Sequence, residues 1–527
     1  MQYLLIGIVF VLALFAISFS NKRGIPALLL FIVLGMAFGA IGIEFDDFEF
    51  SYNFSTVALM VIIFYGGFGT NWSMAKPVAK EAIVLSSLGV VATALLTGLF
   101  LYYALGFDLL EAMLIGSIVG STDYSSVSNI LRSKNLNLKY NTASLLELES
   151  GSNDPTAYTM TMVVLFIIAG TDVSAPFMIL SQVFLGIAVG FISAFLVGKL
   201  IRILTFKADG LYAVFMVSVM LITYSTTDLI GGNGYLALYI LGIYLGNIEF
   251  KGKRSIVFFF DGFAEIIQIG LFFILGLLSK PSSFIEALPI ALIVVIFMTI
   301  IARPLTVYGL MLPFRLKANQ LKMISLAGIR GAAAIAFAIM AVNSDMVFSV
   351  DLYHIVFGIC VLSSLIQGSL MASSSRRWDM LDPNDTVLKT FNYYQSKAEV
   401  GFLETKVHSN SGVVGKKVKD LNLEFDFIVA KIKRDGKTIV PRGNVIIEEG
   451  DLIVLGGELY YDESGQELTE FTIPSGHKWE DKYIKDLNLE DDQLIVMVQD
   501  ENDGVIIPTG DYKLSQKDKV IILNTDE

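Results

Sequence analysis

Long apolar runs separated by short polar stretches dominate the first 375 residues of the chain. About 20 mostly apolar residues are enough for a helix to cross the hydrocarbon core of a bilayer. The first run is followed by Lys22 and Arg23 and lacks a small-residue cleavage site, so we expect it to stay as a membrane helix. The pattern predicts an all-α membrane domain with about thirteen transmembrane helices, at roughly residues 3–20, 25–43, 55–70, 81–105, 109–131, 143–169, 176–201, 211–227, 233–248, 262–278, 284–312, 321–341 and 351–373.

Basic residues in the loops predict the orientation of these helices. When alternate loops are assigned to one side, that side collects 18 Lys and Arg residues, and the other side holds only Lys280. Because cytoplasmic loops carry the excess of positive charge, the N-terminus is expected outside and the C-terminal tail in the cytoplasm. The predicted location is the cell membrane.

The composition excludes several classes of protein. Hydrophobic residues make up 54 % of the chain and charged residues 17 %, with a mean hydropathy of +0.65. Soluble globular proteins carry about a quarter charged residues, so neither a soluble globular protein nor a disordered chain fits. The single cysteine, Cys360, excludes a disulfide framework.

The net charge of −12 belongs to the tail. Residues 1–377 carry 21 basic and 20 acidic side chains, a balance of +1, whereas residues 378–527 carry 17 and 30, a balance of −13. An acidic tail argues against nucleic acid or anionic lipid headgroups as its partners.

Beyond the last apolar run the sequence predicts a polar linker over residues 376–397 and then an internal repeat. The motif Lys-Asp-Leu-Asn-Leu occurs at 419–423 and again at 485–489. β-Branched runs and polar turns around it predict two small α+β modules, over 398–459 and 460–527, each with one short helix at the motif. Modules of about 60 residues are marginal alone, so we expect them to pair with each other or across a dimer.

The sixth run contains a polar sequence, Glu-Ser-Gly-Ser-Asn-Asp-Pro, from Glu149 onward. Polar residues in the middle of a membrane helix cost a few kcal/mol each, so they are strong candidates for function. At helical spacing, Ser150 and Asp154 share one face, and Glu149 and Asn153 share its neighbour. A polar knot between helices is the alternative interpretation.

The fifth and twelfth runs are interrupted by small residues. Gly120-Ser-Thr-Asp123 breaks the fifth run, and Gly328-Ile-Arg-Gly331 breaks the twelfth, with Arg330 at its centre. Unwound backbone is tolerated at membrane depth only where it lines a cavity or is buried in protein. The two runs are seven spans apart and enter the membrane in opposite directions, which is typical of the inverted repeats of secondary transporters. Two small-residue packing helices with incidental charges would also explain the pattern.

The sequence alone assigns no role to two further charged residues, Arg303 and Glu147. Arg303, in Ala302-Arg-Pro304, could form a structural pair with a helix carbonyl or with Glu265, or could serve function equally well. Glu147 lies near the cytoplasmic end of its helix.

A buried carboxylate such as Asp154 suits proton-coupled cation exchange. It is stable in the membrane when it is protonated or when it binds a cation, and these two states exclude each other. Na⁺ and K⁺ prefer oxygen ligands, which Asp154, Asp123, the Ser150 hydroxyl and a backbone oxygen near Thr122 supply. The three histidines are isolated, so the sequence has no His or Cys cluster for a transition metal.

Together, Ser121-Thr-Asp123, Glu149–Pro155, Ala302-Arg-Pro304 and Gly328–Gly331 resemble the monovalent cation/proton antiporter superfamily, in its NhaP-type branch. The match is closest to bacterial potassium/proton antiporters and covers residues 1–375, the predicted exchanger domain. The tail repeat resembles the C-terminal module of regulators of K⁺ conductance, the TrkA-C type, in two copies.

The resemblance implies a role for each site residue. Asn153 and Asp154 would form the ion-site pair, with Asp154 as the carrier of K⁺ or Na⁺ and of H⁺. Asp123, Thr122 and Ser150 would help to coordinate the cation.

The resemblance also implies how the site is held and how it moves. Glu149 would pair with Arg330 to hold the unwound helices. A six-helix core would slide against a dimerisation domain in a homodimer, and one cation would exchange for one proton.

Two positions depart from the family pattern. Tyr124-Ser125 stands where small alanines are common, which narrows the expected cavity. Tyr65 stands where sodium-selective relatives often have Glu, which modestly favours K⁺ over Na⁺.

Other functions are weaker interpretations of the sequence. A tail-gated channel predicts a Thr-Val-Gly-Tyr-Gly-like filter, and an intramembrane enzyme predicts Gly-x-Ser-x-Gly or His-Glu-x-x-His; none of these occurs in the sequence. We therefore expect a transporter, not an enzyme, and no cofactor. The tail is expected to bind a small regulator or to sense ions, and the resemblance suggests a nucleotide such as cyclic di-AMP in some relatives.

Overall fold

The chain divides into two compact units, Met1–Ser396 and Lys397–Glu527. A computed structural model describes residues 2–23, 27–43, 45–123, 126–127, 138–171, 174–204, 206, 208, 210–248, 250–344, 346–381, 400–407, 413–421, 428–434, 437–458, 468–474, 477–487, 489, 493–499, 505–506, 510–516 and 518–524. Most of the predicted linker, residues 382–397, lies outside these residues, and so does Tyr124-Ser125.

Helices make up nearly all the regular secondary structure among the described residues of the first unit. Its helices are α1 Gln2–Arg23, α2 Ala27–Ala40, α3 Phe48–Gly69, α4 Trp72–Leu105, α5 Leu109–Ile118, α6 Thr142–Ile168, α7 Ala175–Ile203, α8 Gly210–Leu229, α9 Gly234–Gly246, α10 Lys253–Leu278, α11 Pro281–Phe314, α12 Ala318–Leu326, α13 Ala332–Val342 and α14 Leu352–Arg377.

Seven of these helices are long and apolar enough to cross a membrane: α3, α4, α7, α8, α10, α11 and α14. Five shorter apolar helices accompany them, within or equal to α1, α2, α5, α9 and α13. The all-α membrane domain predicted from the sequence is confirmed. The count of thirteen spans stays a prediction.

The fifth and twelfth runs are interrupted in the structure, as the sequence predicts. After α5 ends at Ile118, residues 119–123 leave the helical path. In the twelfth run, residues 327–331 separate α12 from α13. The two interrupted segments cross, because the backbone N–H of Asp123 donates to the carbonyl oxygen of Ile329 at 2.7 Å.

Helices α4 and α11 contain the same two kinds of irregular turn, in opposite order along the chain. Each is 34 residues long. In α4 a 3₁₀ turn at Lys76–Val78 precedes a π-helical turn at Leu85–Gly89. In α11 the π-helical turn, Met298–Ala302, precedes the 3₁₀ turn, Leu312–Phe314. Such π-helical turns are frequent at functional sites.

The helices pack in two groups that meet near the crossing. One group contains α1–α3 and α7–α10, and the other contains α4–α6 and α11–α14. Small residues allow backbones to touch within the first group: a Cβ at Gly35 of α2 would overlap the carbonyl oxygen of Phe273 in α10. The groups contact each other mainly where α3 meets α13 and where α7 and α9 meet α6.

The second unit contains two four-stranded antiparallel sheets. The strands are β1 Val400–Lys406, β2 Ile428–Arg434, β3 Lys437–Ile439, β4 Leu452–Glu458, β5 Leu468–Thr472, β6 Gln493–Gln499, β7 Val505–Ile506 and β8 Lys519–Asn524. The sheet orders are β1-β4-β2-β3 and β5-β8-β6-β7, so the same topology occurs twice.

Details inside the two modules also repeat. The Lys-Asp-Leu-Asn-Leu motif begins in a short 3₁₀ helix in each module, at Val418–Asp420 and Ile484–Asp486. Asp451 and Asp518 are both buried, and each accepts a hydrogen bond from the backbone N–H three residues before it, at 2.9 and 2.8 Å. In the first module, Arg434 donates to both carboxylate oxygens of Asp451 and lowers the pKa of that carboxyl.

Candidate ion-binding site

The site is built where one face of α6 meets the interrupted segment 119–123. Ser150, Asn153 and Asp154 are spaced i, i+3 and i+4, so they lie on one face of the helix. Ser150 and Asn153 are buried, and Asp154 is half-buried. Asn153 also stands four residues after Glu149, and it lies between the two neighbouring faces that the helical spacing predicts.

Side chains on this face hold Thr122 and Ser121. The Ser150 hydroxyl donates to the carbonyl oxygen of Thr122 at 2.7 Å, and Asn153 Nδ2 donates to Thr122 Oγ1 at 2.5 Å. The Ser121 hydroxyl donates to Asp154 Oδ1. Four of the residues predicted to coordinate the ion, Ser150, Asn153, Asp154 and Thr122, are thus brought together.

Asp123 follows Ser121 and Thr122 in the same interrupted segment and lines a cleft. The cleft is also lined by Ser126, Arg330 and, from the first helix group, Leu28 and Phe272. The Ser126 hydroxyl donates to Asp123 Oδ2 at 2.6 Å. Asp154 and Asp123 therefore accept hydrogen bonds from different hydroxyls, those of Ser121 and Ser126.

Arg330 binds backbone, not Glu149, which corrects the predicted ion pair. Its Nη1 donates to the carbonyl oxygens of Gly120 and Ser121, each at 2.7 Å. These carbonyls follow the end of α5, where the interruption leaves them without helical partners. A buried guanidinium is well suited to satisfy them, because it presents several donors in a fixed geometry.

Glu149 forms an ion pair with Arg303. The alternative in which Arg303 pairs with Glu265 is therefore wrong. The side chains of Glu149 and Arg303 are both fully buried, with 1 % and 2 % of their surface exposed. Arg303 directly follows the π-helical turn of α11 and packs beside Gly328, where a Cβ would lie 3.3 Å from Arg303 Nε. The second interrupted segment thus leaves room for the arginine that neutralises Glu149.

The sequence interpretation missed the roles of two serines. Ser121 and Ser126 occur in or beside the motifs quoted above, but the pattern gave no reason to select them as the partners of Asp154 and Asp123. The signal was the density of hydroxyl side chains around the interruption. Which hydroxyl meets which carboxylate depends on the path of the unwound backbone.

Tyr65 contacts a carboxylate of the first helix group. Its hydroxyl donates to Asp261 Oδ1 of α10 at 3.4 Å. The position that often carries Glu in sodium-selective relatives is thus occupied by a hydrogen-bonded phenol.

The arrangement offers oxygen atoms suited to a monovalent cation beside a carboxylate. Asn153 Oδ1 is buried and has no hydrogen-bond partner among the residues that the structure describes. The carboxylate of Asp154 and the hydroxyls of Ser121 and Thr122 lie on the same contact surface. Hard cations prefer such oxygen ligands.

Crossed interrupted segments with a carboxylate beside them, in an inverted helical domain, define a secondary transporter. The family described as "Sodium/hydrogen exchanger, transmembrane" matches residues 9–373, and the chain belongs to this family. The tail matches the TrkA-C domain twice, at residues 402–458 and 468–527.

Relatives agree with this assignment. The chain is 32 % identical over 453 residues to the K(+)/H(+) antiporter NhaP2 of Shewanella sp. (strain MR-4), covering 83 % of this chain and 78 % of the relative. It is 30 % identical over 467 residues to the K(+)/H(+) antiporter NhaP of Alkalimonas amylolytica, covering 86 % and 80 %.

A solved structure has the same fold as the membrane unit. The sodium proton antiporter MjNhaP1 from Methanocaldococcus jannaschii, at pH 8, superposes with a TM-score of 0.64 at 21 % identity. The alignment covers 72 % of this chain and 99 % of that chain.

Proposed function

We propose that this protein exchanges K⁺ for H⁺ across the cell membrane, with Asp154 carrying one ion or the other. The observation that carries the proposal is the position of Asp154, half-buried beside the crossing and bonded to Ser121 of the unwound segment. A carboxylate at this depth is stable when it is neutralised. Its neighbours supply oxygen ligands for a cation.

Competition for one carboxylate explains the coupling. When Asp154 is protonated, the cation loses a charged ligand. When the cation is bound, the proton is displaced. Asn153 Oδ1 and the hydroxyls of Ser121 and Thr122 would complete the cation shell, and Asp123 would take part from the adjoining cleft. Movement of Asp154 only in a loaded state then gives exchange rather than leakage.

Potassium is favoured over sodium by the relatives and by Tyr65. Both bacterial relatives described above are named as K(+)/H(+) antiporters. Tyr65 places a phenol where an acidic ligand would favour a smaller, strongly hydrated ion. We propose an exchange of one cation for one proton, which predicts that the exchange rate is insensitive to an imposed membrane potential.

The test is exchange by purified protein in proteoliposomes under K⁺ and Na⁺ gradients. Asp154→Asn removes the titratable charge and should abolish proton-coupled exchange of either cation. Glu286→Gln is the matched control, because Glu286 is an exposed carboxylate near the start of α11. Normal exchange by the Asp154→Asn protein would refute the carrier role of Asp154.

The remaining features of the protein are proposed on weaker support. The bias of 18 to 1 in loop charge supports an external N-terminus and a cytoplasmic tail. The twofold TrkA-C match supports regulation of exchange by a small ligand at the tail, for which cyclic di-AMP is the first compound to test by calorimetry on the full chain. A homodimer is proposed because the resemblance implies it. A channel is not proposed, since the relatives described above are named as antiporters.

A further inference from the structure

Helix α14 presents a buried polar face to the second interrupted segment. Cys360, Ser363, Ser364 and Gln367 are spaced i, i+3, i+4 and i+7, so they form one stripe along the helix. All four are buried, with 2–8 % of their surface exposed. Polar side chains at this depth in a membrane helix require partners.

The partners are backbone groups of the interrupted segment. The backbone N–H of Arg330 donates to Ser363 Oγ at 2.8 Å, and the Ser364 hydroxyl donates to the carbonyl oxygen of Arg330 at 3.4 Å. The Cys360 thiol donates to the carbonyl oxygen of Gly331 at 3.6 Å. Because residues 327–331 are not helical, these backbone groups have no neighbours one turn away, and α14 satisfies them instead.

The stripe is itself anchored to α11. The Ser363 hydroxyl donates to Gln367 Oε1 at 3.3 Å, and Gln367 Nε2 donates to Thr299 Oγ1 at 2.7 Å. Thr299 lies in the π-helical turn that leads directly to Arg303. A buried network whose members are satisfied holds its parts in one arrangement.

A continuous chain of contacts therefore runs from α11 to the carrier carboxylate. Ser363 fixes the backbone of Arg330, and the guanidinium of Arg330 holds the carbonyls of Gly120 and Ser121. The Ser121 hydroxyl then meets Asp154. A shift in the backbone of Arg330 would therefore move the carbonyl of Ser121, and with it the Ser121 hydroxyl that contacts Asp154.

We propose that Ser363, supported by Ser364 and Gln367, is a positioning residue for ion exchange. It fixes the backbone of Arg330 so that Ser121 is held against Asp154, and it contacts no transported ion itself. This inference rests on the proposed exchange function.

The test measures the apparent KM for K⁺, kcat and the pH profile of exchange in proteoliposomes. Ser363→Ala should raise the apparent KM by up to about fivefold with a smaller change in kcat, because one buried hydrogen bond to the anchoring backbone is lost. Ser363→Thr keeps a hydroxyl and should restore KM to within about twofold of the unchanged protein. Ser369→Ala is the matched control, since Ser369 lies on the exposed face of α14 and donates to the carbonyl of Ile366 in its own helix.

A second variant covers the case in which Ser363→Ala does not fold. Gln367→Met keeps the Ser363 hydroxyl but breaks its link to Thr299, and we expect KM to rise by about threefold. For both variants the rise in KM should shrink at alkaline pH, where the proton competes less for Asp154. The proposal is overturned if a folded Ser363→Ala or Gln367→Met protein has a lower melting temperature but an unchanged KM and pH profile. Asp154→Asn, assayed alongside, separates the two hypotheses: if it is inactive while both variants are normal, only this inference fails.

Discussion

The two interrupted segments cross at the same site but contribute opposite chemistry. Residues 119–123, Val-Gly-Ser-Thr-Asp, bring three polar side chains to the site, and two of them meet α6 directly. Residues 327–331, Ala-Gly-Ile-Arg-Gly, bring one charged side chain, which donates to backbone carbonyls of the other segment.

The difference indicates a division of labour within an inverted repeat. Topology gives both segments the same kind of break, but the first supplies groups that can exchange a proton or a cation. The second supplies a fixed positive charge and close backbone packing that hold the first in place. Loss of the positive charge or of the close packing in the second segment should therefore affect folding and rate first, whereas loss of a hydroxyl that meets Asp154, or of a bond that only positions it, should affect ion affinity.

Removal of Arg330 should have the largest effect. Arg330→Met leaves the carbonyls of Gly120 and Ser121 buried without their donor, and each hydrogen bond to a charged group contributes about 1.5–3 kcal/mol. We expect a marked loss of folded protein in detergent and exchange below about a hundredth of the normal rate. Lys322→Met, an exposed basic residue of α12, is the control. A folded, fully active Arg330→Met protein would contradict the anchoring role.

Adding a side chain where the two interrupted segments touch, at Gly331, should have the next largest effect on exchange. A Cβ on Gly331 would overlap Cβ of Asp123 and lie 2.7 Å from its Oδ2, so Gly331→Ala must push the two segments apart. Overpacking of this kind costs about 1–3 kcal/mol, and we expect exchange to fall by about tenfold while the protein still folds.

Gly262 in α10 offers the control for this substitution. Apart from the adjoining part of its own helix, no described atom lies within 4 Å of a Cβ at Gly262, so Gly262→Ala should leave the exchange rate unchanged. Equal rates for the two alanine variants would show that the segments do not need their close approach.

Much of this architecture is predictable from the sequence, for physical reasons that apply at each element. The interruptions at 119–123 and 327–331 follow from Gly and polar residues that a membrane helix does not tolerate without cause. The clustering of Ser150, Asn153 and Asp154 follows from helical spacing. The repeat in the tail is visible as a repeated motif.

The pairing of Glu149 was not predictable in the same way. Two arginines, Arg303 and Arg330, lie near the centres of their runs, and sequence spacing does not say which one reaches α6. The choice depends on the π-helical turn before Arg303 and on the space beside Gly328. Arg330 instead donates to the carbonyls of Gly120 and Ser121, which are free to accept because α5 ends at Ile118. Contacts between distant segments of this kind produce no periodic pattern in the sequence, so the partner of Glu149 could not be predicted from spacing.

Removal of the Ser121 hydroxyl should have the smallest effect and the most specific one. Ser121→Ala takes one hydrogen-bond donor from the ionised form of Asp154, so the proton competes better with K⁺ for the same carboxylate. One such bond contributes about 1 kcal/mol, and the apparent KM for K⁺ should rise by about fivefold at neutral pH. The increase should shrink at alkaline pH, where the proton competes less for Asp154, and kcat and folded yield should stay near normal.

Ser117→Ala is the matched control, because Ser117 is a buried serine of α5 whose hydroxyl donates to the carbonyl of Met113. If Ser121→Ala instead lowers kcat and folded yield together at every pH, as Arg330→Met should, the two segments do not differ in role and the proposed division of labour is wrong.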